Sequence, residues 1–409
     1  MPSDKLPFRY GLKFVTTYFI FASSRYRISV ALFRSFKCSM EPKMSNSKLN
    51  SGLKCTALAL CSISVMVFLI TFTTNWAGQV AVVPKSNEIE MTQEEKSTSM
   101  NALATNGHLT THNFVRDIVN HPAFRQFGDL MLPSNDNTGY YDTPLSDVGS
   151  LMPYHSHLNP GIVVDALNRL IDEVNAGKTI FYEFYTGQQK REKQSKKFTG
   201  LFFFRGKPGA PFAIISPGGG FSYVASLHEG FPIALEISKK GFNAFVIRYR
   251  VDEKKATEDL AAAVAYVFSN AKALGVDTIG YSLWGASAGA RMVGNIALNG
   301  VNQYARGKIA KPAAMVIAYT GQSSYSDRFP PTFITISAND RIANIETVEK
   351  RVANLRNAGV EVDYRRYENA GHGFGLGIGS DAEGWIEHAI QFWKNHLSKK
   401  KNIQWKKEY

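Results

Sequence analysis

Cysteine is almost missing from this chain. The 409 residues hold three, Cys38, Cys55 and Cys61, and none follows position 61. The larger part of the chain therefore has no disulfide framework, no thiolate metal site and no cysteine nucleophile. No strand is followed by a dinucleotide-type glycine fingerprint with a later acidic residue, and Gly206-Lys207 lacks the phosphate-loop pattern, so no cofactor is expected. His155-Ser156-His157 offers two imidazoles without a third ligand in pattern, and no metal is expected either. A recognisable nucleic-acid module is also lacking, although the formal net charge is +13. Much of that excess sits in the stretch to Lys54, in 190–197 and in the tail from Lys394 to Lys407. These read as a targeting segment, a solvated hairpin loop and an exposed tail, with no nucleic-acid partner.

Long apolar runs are scarce as well. Residues 56–73 form one, uncharged and preceded by Lys48 and Lys54. Its length and flanks suit a signal peptide or a single membrane anchor. Residues 1–55 are then a cytoplasmic stub, a targeting n-region or an over-long start, with Met44 as the alternative first residue. Lysines before the run and few basic residues just after it place the bulk of the chain outside the cytoplasm, periplasmic or secreted, with a membrane partner if the run is uncleaved. Residues 78–110 are polar and read as a flexible linker. Residues 111–177 read as a helical pre-domain able to lie over a sheet edge as a partial lid. Helical spacing runs through Phe114, Ile118, Phe124, Phe127 and Leu130, and a longer helix opens at Pro160.

From 178 to 409 short β-rich runs alternate with helical patterns. The runs are Thr179–Tyr185, Thr199–Phe204, Pro211–Ser216, Phe242–Tyr249, Ile279–Trp284, Ala313–Tyr319, Thr332–Ile336 and Val362–Tyr367. Such alternation, with apolar inner runs, predicts an α/β fold. Its sheet is mostly parallel, of about eight strands, with helices on both faces and an antiparallel start.

In a parallel sheet, ligands lie beyond the carboxyl ends of the strands. Four constellations fall there. Gly285-Ala286-Ser287-Ala288-Gly289 stands between an apolar run and a helical one, which would hold the Ser287 hydroxyl above the sheet on a sharp turn. Ser216-Pro217-Gly218-Gly219-Gly220-Phe221 can aim amides at a developing oxyanion; Gly219, Gly220 and Ala288 are the candidate donors. Asp340 follows the seventh strand and can orient an imidazole. Asp327 and Glu368 are less well placed for that task. His372, in a glycine-rich loop after the last strand, is the candidate general base. His228, His388 and His396 sit in or beside helices and read as surface or packing residues. Phe221, Tyr223, Trp284 and Tyr154 are candidates for a substrate pocket, with Trp284 equally readable as core.

In the order Ser287, Asp340, His372, these motifs resemble the α/β-hydrolase fold esterases. The likeness is greatest to the hormone-sensitive-lipase-like and acetylxylan/feruloyl-esterase-like branch. Pro217-Gly218-Gly219-Gly220-Phe221, His228-Glu229-Gly230, Phe245–Arg250, Asp259, the Ser287 pentapeptide, Asp340 and His372-Gly373-Phe374 carry the resemblance. It implies a cofactor-free serine esterase acting on short acyl esters, O-acetyl groups on carbohydrates among them. A peptidase or amidase of the same fold is the alternative within enzymes. A catalytically silent binding protein is the alternative outside them. Nothing in the sequence sets the oligomeric state.

Overall fold

The computed structural model describes residues 107–305 and 309–408. Eight strands form one sheet: β1 Phe181–Tyr182, β2 Gly200–Phe204, β3 Pro211–Ser216, β4 Asn243–Arg248, β5 Asp277–Ala286, β6 Ala314–Ala318, β7 Thr332–Ser337 and β8 Val362–Tyr367. Their order is β1-β2-β4-β3-β5-β6-β7-β8. The β1–β2 and β2–β4 pairs are antiparallel and all others parallel. This is the α/β-hydrolase arrangement that the alternating pattern predicts.

The inner strands are apolar because both of their faces are covered. β2, β4, β6 and β7 are buried at every residue. β8 carries Asp363, Arg365 and Arg366 and stays half-buried, which suits an edge that must not pair with another chain. The chain runs from β3 outward to β4, then crosses back over β3 to place β5 on its other side. That reversal opens a crevice at the carboxyl ends of β3 and β5, where the glycine loop and Ser287 emerge.

The longer helices are α1 Pro160–Asn175, α2 Phe231–Lys239, α3 Glu253–Ser269, α4 Ala288–Asn299, α5 Ile345–Asn357 and α6 Trp385–Glu408. Their starts follow capping chemistry. Asn159 accepts from the Ile162 N–H ahead of Pro160, Asp252 from the Lys255 N–H, and Asn344 from the Thr347 N–H. Helices α1 and α2 pack together, as do α3 and α4. Helix α6 brings Trp393 against the sheet, where its indole donates to the Gly280 carbonyl at 2.8 Å and its ring meets Phe242 and Trp284.

Residues 111–177 pack onto the same core as the sheet. Arg248, at the end of β4 and only 1% exposed, fastens them. Its guanidinium donates to the carbonyls of Leu132, Pro133 and Ser134 and to Asn135 Oδ1, at 2.7–3.0 Å. A buried cation is tolerated here because four oxygens replace water around it.

Two expectations are corrected. The lysine-rich stretch is not a simple hairpin loop: Gly187–Glu192 is helical, Lys190 is buried with its ammonium on Glu183, and Lys196 lies over the Tyr185 ring. A capping box of Thr186 and Gln189 starts that turn, a local signal that the charge pattern obscures. The second correction concerns the membrane partner and the anchored, extracytoplasmic location. Among the described residues no helix is long and apolar enough to cross a membrane, and residues 56–73, on which that expectation rests, lie outside them.

Candidate active site

β5 ends at Ala286 and α4 begins at Ala288, leaving one residue to make the turn. Ser287 does so at φ 50°, ψ −115°, in the positive-φ region that a residue with a Cβ seldom occupies. The glycines on either side are required by space. A Cβ on Gly289 would lie 1.8 Å from the Ser216 carbonyl oxygen, and one on Gly285 2.5 Å from the Gly289 oxygen. A serine that merely starts a helix would accept from the helix's first amides. Ser287 makes no such cap. Its hydroxyl points instead to His372 Nε2, at 2.9 Å.

The other ring nitrogen of His372, Nδ1, is 2.8 Å from Asp340 Oδ2. Both side chains are sheltered, 7% and 0% exposed. Asp340 is fixed in turn, since its Oδ1 accepts from the Ile342 and Ala343 N–H groups at 2.8 Å each. The imidazole packs edge-on against Tyr319, itself at a positive φ of 37°. Three residues far apart in the chain thus form one hydrogen-bonded row: carboxylate, imidazole, hydroxyl. Such a row can pass a proton from the hydroxyl to the ring while the carboxylate holds the ring's orientation. Asp327 and Glu368 are exposed and take no part in it.

The glycine loop lies directly on the serine. A Cβ on Gly218 would sit 2.8 Å from Ser287 Cβ. Gly219, Gly220 and Phe221 follow with φ of 118°, 63° and 56°. The Gly218 N–H is already used, donating to Glu229 Oε2, and that contact is 2.5 Å long. Among the described residues the amides of Gly219, Gly220 and Ala288 have no hydrogen-bond partner.

Glu229 is fully buried, and its Oε1 is 3.1 Å from His155 Nε2. Burial pushes its carboxyl up. The His155 imidazole, His228 and the Gly218 N–H more than offset this and hold it below its ordinary 4.5, at about 2. His228 is not a surface residue: it is 4% exposed, and its Nε2 bonds the Gly373 carbonyl at 2.9 Å. Burial, and then the neighbouring His155 imidazole, push His228 down to about 4, so it is neutral near pH 7.

The candidate pocket residues divide. Tyr154 is 45% exposed, stacks on Tyr223 at 5.5 Å and borders Gly220. Tyr223 is buried with its hydroxyl on the Tyr154 N–H and His155 Nδ1. Phe221 is half-buried against Tyr249. Trp284 is 2% exposed on the sheet face beside Trp393 and belongs to the core. Pattern reading named His155 only as a loop histidine and Glu229 only within the His228-Glu229-Gly230 likeness, gave neither a part in the site, and did not single out Tyr319. For Glu229 a signal existed: a carboxylate within Val224-Ala225-Ser226-Leu227-His228-Glu229-Gly230-Phe231 must be buried, hence partnered.

A model of the BD-FAE family matches residues 205–314. Endo-1,4-beta-xylanase B of Butyrivibrio fibrisolvens is 33% identical over 93 residues, which is 21% of this chain and 14% of that protein. The chain therefore spans only a small part of that relative. Among solved structures, the acetyl ester-xyloside bifunctional hydrolase of Caldicellulosiruptor lactoaceticus is 19% identical, with 53% of this chain and 95% of that one covered at a TM-score of 0.47. The carboxylesterase Cest-2923 of Lactobacillus plantarum is 21% identical, with 48% and 92% covered at a TM-score of 0.42.

Proposed function

We propose that this chain, an α/β-hydrolase-fold protein related to the acetylxylan/feruloyl esterase and carboxylesterase branches, hydrolyses short acyl esters through Ser287. The observation that carries the reading is the row from Asp340 through His372 to Ser287, with contacts of 2.8 and 2.9 Å. His372 takes the hydroxyl proton as Ser287 Oγ bonds to the ester carbonyl carbon. The carbonyl oxygen becomes an oxyanion, held by the unpaired amides of Gly219, Gly220 and Ala288 and favoured by the N-terminus of α4. Collapse breaks the bond to the alcohol oxygen, which leaves with the proton from His372. Water then gives a proton to His372 as it attacks the acyl-enzyme, and collapse breaks the bond to Ser287 Oγ, which takes that proton back from His372 as the acid leaves. Asp340 keeps the imidazole proton on Nδ1 throughout, so that Nε2 faces the serine as a base.

O-acetyl groups on carbohydrates are the substrate class we favour. The BD-FAE match and the 93 residues shared with a xylanase support it, and so does the exposed Tyr154 ring beside Gly220, an apolar face on which a sugar ring can lie. A fluorophosphonate probe tests the nucleophile. The unaltered chain should label and Ser287→Ala should not; equal labelling would refute the assignment. Turnover of p-nitrophenyl esters beside acetylated xylo-oligosaccharides tests the acyl group. Preference for chains of eight or more carbons would overturn the short-acyl reading.

A further inference from the structure

The stretch Tyr154-His155-Ser156 comes from the segment before the sheet, yet it touches both loops of the site. On one side, Ser156 Oγ is 2.8 Å from the Ala370 and His372 carbonyl oxygens, and the Ser156 N–H donates to the Gly373 carbonyl at 3.2 Å. That same carbonyl bonds His228. On the other side a run of hydrogen bonds and one imidazole–carboxylate contact reaches the glycine loop. The Tyr154 N–H donates to the Tyr223 hydroxyl, the hydroxyl donates to His155 Nδ1, His155 Nε2–H faces Glu229 Oε1, and Glu229 Oε2 accepts from the Gly218 N–H. The His155–Glu229 contact is a close approach of imidazole and carboxylate at 3.1 Å in a fully buried place, and neither His155 Nε2 nor Glu229 Oε1 has another hydrogen-bond partner among the described residues. The Ser287 hydroxyl bonds His372 and not the Glu229 carboxylate, which is fully buried.

Its physical effect falls on direction. Gly218 is followed by three residues at positive φ, a backbone with little intrinsic preference to hold one course. The amides of Gly219 and Gly220 are aimed only if Gly218 is fixed. A carboxylate accepting from its N–H fixes it by a charge-assisted bond. We infer that Glu229 and His155 are positioning residues, which aim the glycine-loop amides at the oxyanion and make the segment before the sheet a working part of the site. The inference rests on the reading of Ser287 as nucleophile.

The test uses the full chain with Glu229→Gln and, because loss of a buried carboxylate can impair folding, His155→Gln as an independent variant. Two quantities are read. One is kcat against KM for p-nitrophenyl acetate. The other is the affinity of phenylboronic acid, whose tetrahedral adduct on a serine places an oxygen where the oxyanion would lie. Each variant should lose about 10- to 100-fold in kcat, with KM changed less than about 3-fold and boronate affinity falling by a similar factor. A merely structural role would lower the unfolding temperature and leave both unchanged in the folded fraction, and that result would overturn the inference. Boronate binding needs no ester turnover. An unaltered chain that forms the adduct but hydrolyses no ester refutes the ester reading alone; equal adduct affinity in all three proteins refutes this one alone.

Discussion

Asparagine at position 340 is the most informative single change to the proposed row, because the surroundings dictate how the new amide must sit. Asp340 Oδ1 accepts two backbone N–H groups at 2.8 Å, from Ile342 and Ala343, while Oδ2 faces His372 Nδ1 at 2.8 Å. An asparagine that keeps its oxygen on the two backbone donors puts its NH2 against Nδ1. The imidazole must then accept there and carry its proton on Nε2, so it points an N–H at Ser287 and is no longer a base. In enzymes that use a serine, a histidine and a carboxylate in this way, such a tautomer error costs about 10⁴-fold in kcat, or about 5.4 kcal/mol. The flipped amide restores the useful tautomer but turns its NH2 toward two backbone donors. Two unmade hydrogen bonds at about 1–3 kcal/mol each make the flip cost about 2–6 kcal/mol. Asp340→Asn should therefore lose between about 30-fold and about 10⁴-fold in kcat for p-nitrophenyl acetate. Volume is conserved, so the unfolding temperature should move little. A folded variant retaining more than about a tenth of the rate would refute the reasoning about the tautomer.

Two further outcomes concern stability. Arg248→Met removes four hydrogen bonds to residues 132–135 and strands the buried Leu132 and Pro133 carbonyl oxygens; a loss of about 3 kcal/mol or more, read as a fall of about 6 °C or more in melting temperature, is expected, and an unchanged melt would remove Arg248 as the fastening. Glu229 titrates lower in the fold than in the unfolded chain. Its contribution to stability is therefore complete above about pH 4.5 and is lost as pH falls toward about 2. Urea midpoints of the unaltered chain and Glu229→Gln should draw together between pH 7 and pH 3, and a gap that stays constant would show that the carboxylate is not held down.

Chain pattern carried far in the sheet and less far around it. Apolar runs with turn residues between them located all eight strands, because inner strands covered on both faces tolerate little else. That Ser287, Asp340 and His372 come together was legible for a related reason: each stands where a buried strand gives way to glycine or polar residues, and such strand ends face one crevice; their catalytic part is the proposal above. The partners of the residues behind them were not legible. Glu229 and His155 lie 74 positions apart by the numbering, and their contact depends on how the segment before the sheet folds back, which no local period records. Lys190 failed as a solvated charge for the same reason. Its fate was set by Glu183 and by the turn that brings them together, not by the charges adjoining it.

The support under β5 bears on the order in which the molecule can be made. Trp284 and Gly280 sit on the strand that ends in Ser287, and the ring that covers them, Trp393, arrives more than a hundred residues later on α6. A ribosome that has released the pentapeptide has yet to supply Asp340, His372 and that cover. The nascent chain thus holds an apolar strand end bare of its final partner, and contacts of such long sequence separation form late. Emergence of the proposed hydrolytic activity at Ser287 is then a clock for the last stage of folding, in which Trp393 comes to cover Trp284 and Gly280.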